Sequence, residues 1–405
     1  MATTPIPPNS QSRRRPPLII LVLVTALGPL ALNILVPSMP GLQRVFAAGY
    51  DVVQLVLSLY LLGIGFGQLI YGPLSDHFGR RPLLLIGLGV FLVGTIGCIY
   101  APNIETLIGF RVLQALGGCA GMVLARAMIR DLFARERAAS ILAYVTMAMV
   151  LAPMLAPTIG GALDVWFGWW AGFVFILVVG LLVMFFATFS LHETHVENRV
   201  TLRLFSPFYD ARRLFGQPSF RGHAFQVAFT TSVFFTFIAG APFVMIEIMG
   251  RTPADYGVYF IMVPCMYISG NFLTGRYSQR IGTDRMITIG TMFSFLVMVV
   301  LLAIYFLGFL SPFYLFAGMA LIAFGHGLSV ANGIMGALSV DSKLIGSASG
   351  ISGFLQMGIG AAAASLVGSL LQTTAMPLLL IMFGGAFLAF TSHWLCVRKS
   401  RNQCL

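Results

Sequence analysis

Apolar runs of about 20 residues recur along the whole chain, and short polar stretches separate them. Each run is long enough to cross a hydrocarbon core of roughly 30 Å as a helix. The strands of a membrane barrel would instead alternate apolar and polar residues, whereas a run such as Leu83–Tyr100 is apolar on every face. The pattern predicts an all-α integral membrane protein.

Twelve segments account for the apolar runs, and a polar stretch divides them six and six. They are Pro17–Met39, Asp51–Leu74, Leu83–Ala101, Glu105–Ile129, Ser140–Leu163, Gly168–Leu191, Arg221–Ile246, Tyr256–Gly275, Met286–Leu310, Phe313–Leu338, Ser347–Leu370 and Pro377–Val397. The sequence thus predicts an N-terminal six-helix bundle at 17–191, a cytoplasmic linker at 192–219 and a C-terminal bundle at 220–397. Residues 1–16 and 398–405 are predicted to be cytoplasmic tails.

The positions of the basic residues give the orientation. With the N-terminus inside, twenty of the 24 Lys and Arg residues fall on the cytoplasmic side, as the positive-inside rule requires. Only Arg44 and Arg251 fall outside, and Arg111 and Arg126 lie within the fourth segment. Both termini are therefore predicted to be cytoplasmic. Topology accounts for the net charge of +11, so we expect no nucleic-acid partner.

Composition and cysteine use exclude other classes. The chain is 58% hydrophobic and only 9% charged, far from the balance of a water-soluble domain. Its five cysteines form no C-x-x-C pair, and His192-Glu193-Thr194-His195 lacks the H-E-x-x-H spacing. We expect no metal site, no disulfide framework and no cofactor.

The two halves correspond in sequence. Pro17 and Arg221 begin equivalent segments, and Gly282-Thr283-Asp284-Arg285 partly matches Gly79-Arg80-Arg81. Both correspondences are offset by a little over 200 residues. A duplicated six-helix unit of this kind places a substrate site near the bilayer midplane between the halves.

The most specific motif lies between the second and third segments and reads Gly72-Pro73-Leu74-Ser75-Asp76-His77-Phe78-Gly79-Arg80-Arg81. It resembles the G-x-L-a-D-x-x-G-R-R loop of the major facilitator superfamily, whose members have twelve helices in two pseudo-symmetric halves. The resemblance implies a conformational latch of Gly72, Asp76, Gly79, Arg80, Arg81 and Asp131. It implies that Asp76 faces the start of the eleventh helix near Gly346-Ser347, and that Arg80 pairs with Asp131 in the outward-open state.

Two further motifs resemble the same family. In the fourth helix, the run from Arg111 to Gly118 resembles R-x-x-q-G-x-g; Arg111 and Gln114 share a face there, and either contact one ligand or form a structural hydrogen-bonded pair. In the fifth helix, the antiporter motif G-P-x-x-G-G is matched by Pro153, Pro157, Gly160 and Gly161, with Ala156 replacing its first glycine. The alternative reading of the fifth helix is a generic kinked packing helix.

Three more runs narrow the match to the Bcr/CflA drug-resistance branch: Leu35–Pro40, Arg126–Leu132 and Ala241–Glu247. This resemblance implies a monomeric exporter in the lipid bilayer of the bacterial inner membrane. It implies small-molecule drug substrates, such as bicyclomycin, sulfonamides and phenicols, that leave in exchange for protons.

In the resembled fold, helices one, four, seven and ten line the substrate cavity. The candidate binding residues are Asn33, Tyr60, Arg111, Gln114, Phe229, Phe237, His326 and Asn332. Asn33 and Arg111 lie at one depth, roughly 24 and 27 Å from the cytoplasmic ends of their helices. Most aromatic residues are expected to pack against helices or lipid instead of lining the cavity.

Proton coupling is less clearly marked, because the family has an Asp where this chain has Asn33. The remaining candidates are His326 and Glu247, although a membrane histidine is often only a hydrogen-bonded helix contact. Without a carboxylate partner, Arg111 should disfavour cationic substrates, which points to neutral phenicol-like drugs.

Three alternatives remain open at this stage. A metabolite carrier, either facilitator or importer, would use the same fold. A membrane-embedded enzyme would need a catalytic constellation at membrane depth, and the chain offers only Arg111 and His326 there. A sensor that does not transport would keep the cavity but have no need of the latch, so a transporter is the favoured reading.

Overall fold

The structure is a computed structural model that describes residues 17–132, 155–194, 206–341 and 344–403. Its first half contains α1 (Leu18–Ile34), α2 (Met39–Phe46), α3 (Tyr50–Phe78), α4 (Arg80–Ile99), α5 (Ile104–Leu132), α6 (155–167) and α7 (Trp170–Ser190). A bridging helix, α8 (Ser206–Phe215), precedes the second half. The second half contains α9 (Pro218–Phe243), α10 (Pro253–Phe260), α11 (Met262–Ile281), α12 (Thr283–Phe306), α13 (Pro312–Leu338), α14 (Ile345–Leu370) and α15 (Met376–Gln403).

Eleven stretches of the described chain are long and apolar enough to cross a membrane. They coincide with the predicted segments apart from the fifth, Ser140–Leu163, of which the structure describes only the part within 155–167. The predicted all-α membrane class is therefore confirmed.

Several boundaries differ from the prediction for local reasons. The first segment continues beyond Met39, because a 3₁₀ turn at Val36–Ser38 leads into α2. Pro37 lies in that turn, where its missing N–H leaves no helical hydrogen bond unmade. The eighth segment is two helices, α10 and α11, with the break at Ile261. The predicted linker contains the amphipathic helix α8, whose Leu214 is fully buried.

The predicted repeat is visible in the backbone. Gly79 separates α3 from α4 with φ of 100°, and Gly282 separates α11 from α12 with φ of 91°. Glycine is the residue that adopts this region without strain. Equivalent turns therefore occur at equivalent places in both halves.

The halves meet along α3 and α14. Gln54 of α3 fills the space beside Gly368 of α14, and Gln68 fills the space beside Gly353. Because 15 residues of helix separate the two glycines, the contact extends for about 22 Å. We call the end of the molecule near α8 and the turn at Gly79 the linker end, and the opposite end the distal end.

Candidate functional site

Arg111 is the centre of a buried polar cluster in the first half. Its side chain is 1% exposed, and its Nη1 donates to the Ala31 carbonyl oxygen of α1 at 3.0 Å and to Gln114 Oε1 at 2.7 Å. Its Nε lies 3.5 Å from the Val56 carbonyl oxygen of α3. The guanidinium carbon lies 4.0 Å from the centroid of the Tyr60 ring, a cation–π distance. One side chain thus ties α1, α3 and α5 together.

The partners of Arg111 are themselves fixed by further bonds. Gln114 Nε2 donates to Thr95 Oγ1 of α4 at 2.8 Å, and the Tyr60 hydroxyl donates to the Gly28 carbonyl oxygen at 3.0 Å. The structure therefore brings together three sequence candidates, Tyr60, Arg111 and Gln114. In this conformation Arg111 and Gln114 bond to each other and to protein groups, as in the structural alternative, and their contact with a ligand stays a prediction.

The charge of Arg111 has no carboxylate near it in the described part of the chain, since none of the ion pairs there includes it. Carbonyl dipoles, an amide oxygen and aromatic faces stabilise the guanidinium instead. The core of the first half therefore carries an uncompensated positive charge.

Asn33 lies near this cluster but does not join it. Its Nδ2 donates to the Pro29 carbonyl oxygen of its own helix at 2.9 Å, and its buried Oδ1 has no partner among the described residues. Other buried neutral oxygen atoms in the membrane spans also have no hydrogen-bond partner among the described residues, among them Gln54 Oε1, Gln226 Oε1 and Ser352 Oγ. These last three residues are not among the sequence candidates, although a glutamine within an apolar run is a signal that could have found two of them.

The second-half candidates are dispersed. Phe237 is fully buried and packs edge-on against Phe316 of α13, with ring centroids 5.2 Å apart. Phe229 stacks on Phe225 of the same helix at 6.1 Å. Asn332 accepts a hydrogen bond from Ser278 of α11 at 2.7 Å. Phe237 and Asn332 thus serve packing between helices.

His326 lies on α13 and is 5% exposed. Its backbone carbonyl oxygen accepts from Ser329 at 3.5 Å, and no ion pair of the described chain includes its ring. The structure does not bring His326 to the Arg111 cluster. Its role as a proton carrier stays a prediction.

The latch residues converge at the linker end. Arg80 Nε lies 3.2 Å from Asp131 Oδ2, and Arg80 Nη1 lies 2.7 Å from Asp76 Oδ1. Arg80 Nη1 also donates to Ser75 Oγ, and the Ser75 hydroxyl donates to the Gly72 carbonyl oxygen at 2.8 Å. The pair expected between Arg80 and Asp131 is present, within one half of the molecule.

A glutamate that the sequence analysis did not select completes this cluster. Glu193, just after α7, accepts from the backbone N–H groups of Arg80 at 3.0 Å and Arg81 at 3.2 Å. A carboxylate at a helix N-terminus satisfies free N–H groups and the helix dipole. A side chain at Gly79 would collide with this carboxylate, since an added Cβ would lie 2.6 Å from Glu193 Oε2.

The expected contact of Asp76 with the start of α14 stays a prediction. Asp76 forms its ion pair with Arg80, whereas the hydroxyl of Ser347 in the first turn of α14 donates to Asp210 of α8. Arg213 of α8 also pairs with Asp341 at 2.9 Å. The bridging helix α8 therefore supplies a carboxylate at the start of α14.

At the distal end, hydrogen bonds join the two halves. The Tyr50 hydroxyl and Gln54 Nε2 of α3 both donate to the Ala239 carbonyl oxygen of α9, at 2.6 and 2.5 Å. Thr158 Oγ1 of α6 donates to the Gly257 carbonyl oxygen of α10 at 2.9 Å. We call this set the distal seam.

The antiporter motif borders the distal seam. A Cβ at Gly160 would overlap the Ile34 carbonyl oxygen of α1, and one at Gly161 would overlap the Pro253 carbonyl oxygen of α10. Pro157 is buried in the same turn of α6, and Pro153 lies outside the described residues. The two glycines therefore allow one helix to pack closely against both halves.

An ion pair also crosses the halves at the distal end. Arg44 Nη2 of α2 lies 3.9 Å from Glu247 Oε1, in the π turn Val244–Ile248 that follows α9. Asp164 of α6 interacts with Arg44 and accepts a hydrogen bond from Ser38. Burial raises the pKa of Asp164, while these two partners lower it. Arg44 thus lies between a carboxylate of each half.

Two pseudo-symmetric helical bundles, a charged latch at one end and a hydrogen-bonded seam at the other define a polytopic membrane transporter. The profile of the Major Facilitator Superfamily matches residues 21–365, and the chain belongs to that family. The predicted family and twelve-helix fold are confirmed. The family match identifies a transporter and not an enzyme.

Named relatives support the predicted branch. The chain is 30% identical to the bicyclomycin resistance protein homolog of Haemophilus influenzae over 90% of this chain and 92% of the relative. It is 29% identical to multidrug resistance protein D of Escherichia coli over 90% and 91%. It is also 29% identical to a chloramphenicol resistance protein of Pseudomonas aeruginosa over 65% and 62%. With the apolar helices, these matches confirm the predicted multi-pass location in a bacterial inner membrane.

Solved structures agree on the fold. The E. coli xylose transporter XylE in a partially occluded inward-open conformation matches with a TM-score of 0.73 at 14% identity, covering 93% of this chain and 96% of that one. A bacterial homolog of the human lysosomal transporter Spinster, in an inward-facing conformation, matches with a TM-score of 0.70 at 16% identity, covering 94% of each.

Proposed function

We propose that this protein is a proton-coupled efflux transporter that exports small, amphipathic, predominantly neutral antibiotics by alternating access. The distal seam carries the proposal. Three hydrogen bonds and one ion pair close the halves at one end, and each joins a first-half residue to a second-half residue. Such polar contacts can break and re-form as the halves rock, which is how transporters built from repeats expose a central site to each side.

The substrate charge follows from Arg111. A cation 10 Å from its guanidinium would be repelled by about 1.7 kcal/mol at an effective dielectric constant of about 20, a tenfold or greater loss of affinity. The amide oxygens of Asn33 and Gln226 and the hydroxyl oxygen of Ser352 have no partner among the described residues. They can accept hydrogen bonds from the hydroxyl and amide groups of a neutral drug.

Proton coupling is assigned to the distal end. Protonation of Glu247 would weaken its attraction to Arg44, an ion pair that joins the second half to the first. Protons from outside would therefore favour opening of the distal seam, on the side to which the drug is released. Glu247 is therefore our candidate for proton coupling, the role anticipated from the sequence.

The test is drug export from proteoliposomes that contain the purified protein and carry an imposed pH gradient. A neutral phenicol should be transported when the gradient is present and not when it is collapsed by an ionophore. A permanent cation such as tetraphenylphosphonium should be transported at least tenfold more slowly. If the protein exports neither the phenicol nor the cation and takes up a metabolite instead, the alternative of a metabolite carrier would be favoured.

A further inference from the structure

A cluster of two histidines and an aspartate lies at the linker end of the second half, apart from the latch and the seam. His223 of α9, Asp284 of α12 and His393 of α15 each place one ligand atom within 4.8 Å of the others. His223 Nε2 lies 4.0 Å from Asp284 Oδ1, and the two imidazole centroids are 5.5 Å apart. The His223 ring occupies space that Gly336 of α13 leaves free, since a Cβ there would lie 2.7 Å from the ring.

The hydrogen bonding of His393 fixes which of its nitrogens has a free lone pair. His393 Nε2 lies 3.2 Å from the Asp284 carbonyl oxygen, which can only accept, so Nε2 carries the proton. In the neutral ring Nδ1 is then an acceptor. This atom is buried in a side chain that is 1% exposed, and it has no hydrogen-bond partner among the described residues.

His223 directs Nε2 towards the Asp284 carboxylate at 4.0 Å, and its Nδ1 is buried without a partner in the described part of the chain. A buried acceptor that receives no hydrogen bond is unfavourable unless something else satisfies it. An imidazole that donates one N–H to a carbonyl and directs the other nitrogen at a metal is the usual arrangement of a metal-binding histidine.

We propose that His223, Asp284 and His393 bind a divalent transition-metal ion of the zinc type. Two imidazoles and a carboxylate suit zinc, and a water would complete the tetrahedron. Ligand atoms around tetrahedral zinc lie about 3.4 Å apart, so these side chains need to close by about 1 Å. The Asp284 side chain is 54% exposed, which gives the ion a route from the aqueous face.

The location gives the ion a structural role. Asp284 lies in the second-half turn that repeats Gly79-Arg80-Arg81. In the first half, the Gly79 turn is held by the ion pair of Arg80 with Asp131 and by the hydrogen bonds of Glu193 to the start of α4. A metal would fasten α9, α12 and α15 at the equivalent place. Because all three helices belong to the second half, the ion would stabilise that half without locking the two halves together.

The experiment uses the full-length protein in detergent, purified without a polyhistidine tag and stripped with a chelator. Zinc chloride is titrated by calorimetry, and the melting temperature is measured with and without zinc. We expect one ion per chain with micromolar or tighter affinity, and a higher melting temperature with zinc. His223→Ala and His393→Ala should each lower the affinity at least about tenfold. His192→Ala, at an exposed histidine outside the cluster, should leave it unchanged.

Either of two results would overturn the assignment. The first is no saturable binding by the wild-type protein up to 100-fold above its own concentration, a result that needs no variant to fold. The second is one bound ion of unchanged affinity in both cluster variants, which would place the zinc elsewhere on the surface. Transport of drugs is not the readout, so failure of this site leaves the efflux proposal standing.

Discussion

The guanidinium carbon of Arg111 lies 4.0 Å from the ring centroid of Tyr60, while the Tyr60 hydroxyl donates to the Gly28 carbonyl oxygen of α1 at 3.0 Å. One aromatic ring thus stabilises the buried charge with its face and joins two helices with its hydroxyl. The positive charge is thus held by groups of the first half.

Arg111→Lys should impair the protein nearly as much as Arg111→Ala. The planar guanidinium of Arg111 donates to the Ala31 carbonyl oxygen and to Gln114 at the same time. The ammonium group of a flexible lysine side chain cannot reproduce that geometry. The alanine variant leaves buried acceptors unpaired, at about 1–3 kcal/mol each. We expect export to fall at least tenfold and the melting temperature to drop in both. Arg251→Lys, at an exposed arginine, is the control. Full transport by Arg111→Lys would mean that charge alone matters.

The latch variants Asp76→Asn and Arg80→Ala should cut transport strongly while leaving membrane insertion and ligand binding largely intact. Arg80 loses its bonds to Asp131 and Asp76, and a change of about 1.4 kcal/mol shifts a conformational equilibrium tenfold. Drug binding and proteoliposome export, measured side by side, separate the two effects. Arg276→Ala, at an exposed position of α11, should behave as wild type. Normal transport by both latch variants would contradict the assignment.

The sequence predicted two features of the linker end, because their groups are close in the chain or carried by a motif. The pair of Arg80 with Asp131 was expected from the resemblance, and the turn at Gly79 from its glycine. The seam was not predictable in the same way. Gln54 donates to a carbonyl oxygen 185 positions away, and a backbone acceptor leaves no mark in the sequence. Glu193 was missed for a similar reason, since it caps the N–H groups of a distant helix.

Cavity-facing residues were harder to choose for a physical reason. On a helix that is apolar all round, periodicity does not reveal which face meets lipid, helix or cavity. Phe237 was selected for the cavity, yet its ring packs against Phe316. Gln226, one turn from Phe229, is fully buried, and its amide oxygen has no partner among the described residues, so we propose it as a further candidate on α9.

Tyr50→Phe should shift the molecule toward a state open at the distal end. The variant loses one hydrogen bond of the seam, about 1 kcal/mol net, or roughly fivefold in the open-to-closed ratio. Spin labels on Val45→Cys and Val258→Cys, both exposed and in different halves, measure the opening in a cysteine-free background. Tyr100→Phe changes an exposed tyrosine and should not alter the distance distribution. An identical distribution for Tyr50→Phe would contradict the seam.

Asp164 should make stability depend on pH. Burial raises its pKa in the folded protein, so the folded state binds more protons than the unfolded state above the ordinary aspartate pKa of about 3.9. The contribution of Asp164 to the free energy of unfolding should therefore decline as the pH rises from about 3.9 through the raised pKa of the folded protein. Asp164→Asn should remove that decline, seen in melting temperatures over a pH series. Glu105→Gln, at an exposed acid, should keep it. Superimposable wild-type and Asp164→Asn profiles would be inconsistent with this role.

Asn33→Asp should restore a titratable group in α1 and with it the export of cations. Asn33 is 1% exposed, and its helix receives the Arg111 hydrogen bond at Ala31, two residues away. A carboxylate there would offset the repulsion between Arg111 and a cation. That repulsion is about 1.7 kcal/mol at 10 Å, which corresponds to more than tenfold in the affinity for the cation. We therefore expect Asn33→Asp to increase export of ethidium or tetraphenylphosphonium roughly tenfold, and to change the pH dependence of transport, since an amide cannot carry a proton.

The matched control is Asn332→Asp, which adds the same charge to a buried position of α13, in the other half from Arg111. It should not improve cation export if the effect depends on Arg111. The decisive comparison is the wild-type protein itself. If it exports a permanent cation as fast as a neutral phenicol, then the charge of Arg111 does not select the substrate. A compensating carboxylate would then be sought at Glu247 or another acid near the distal end, because a nearby negative charge offsets the repulsion from Arg111.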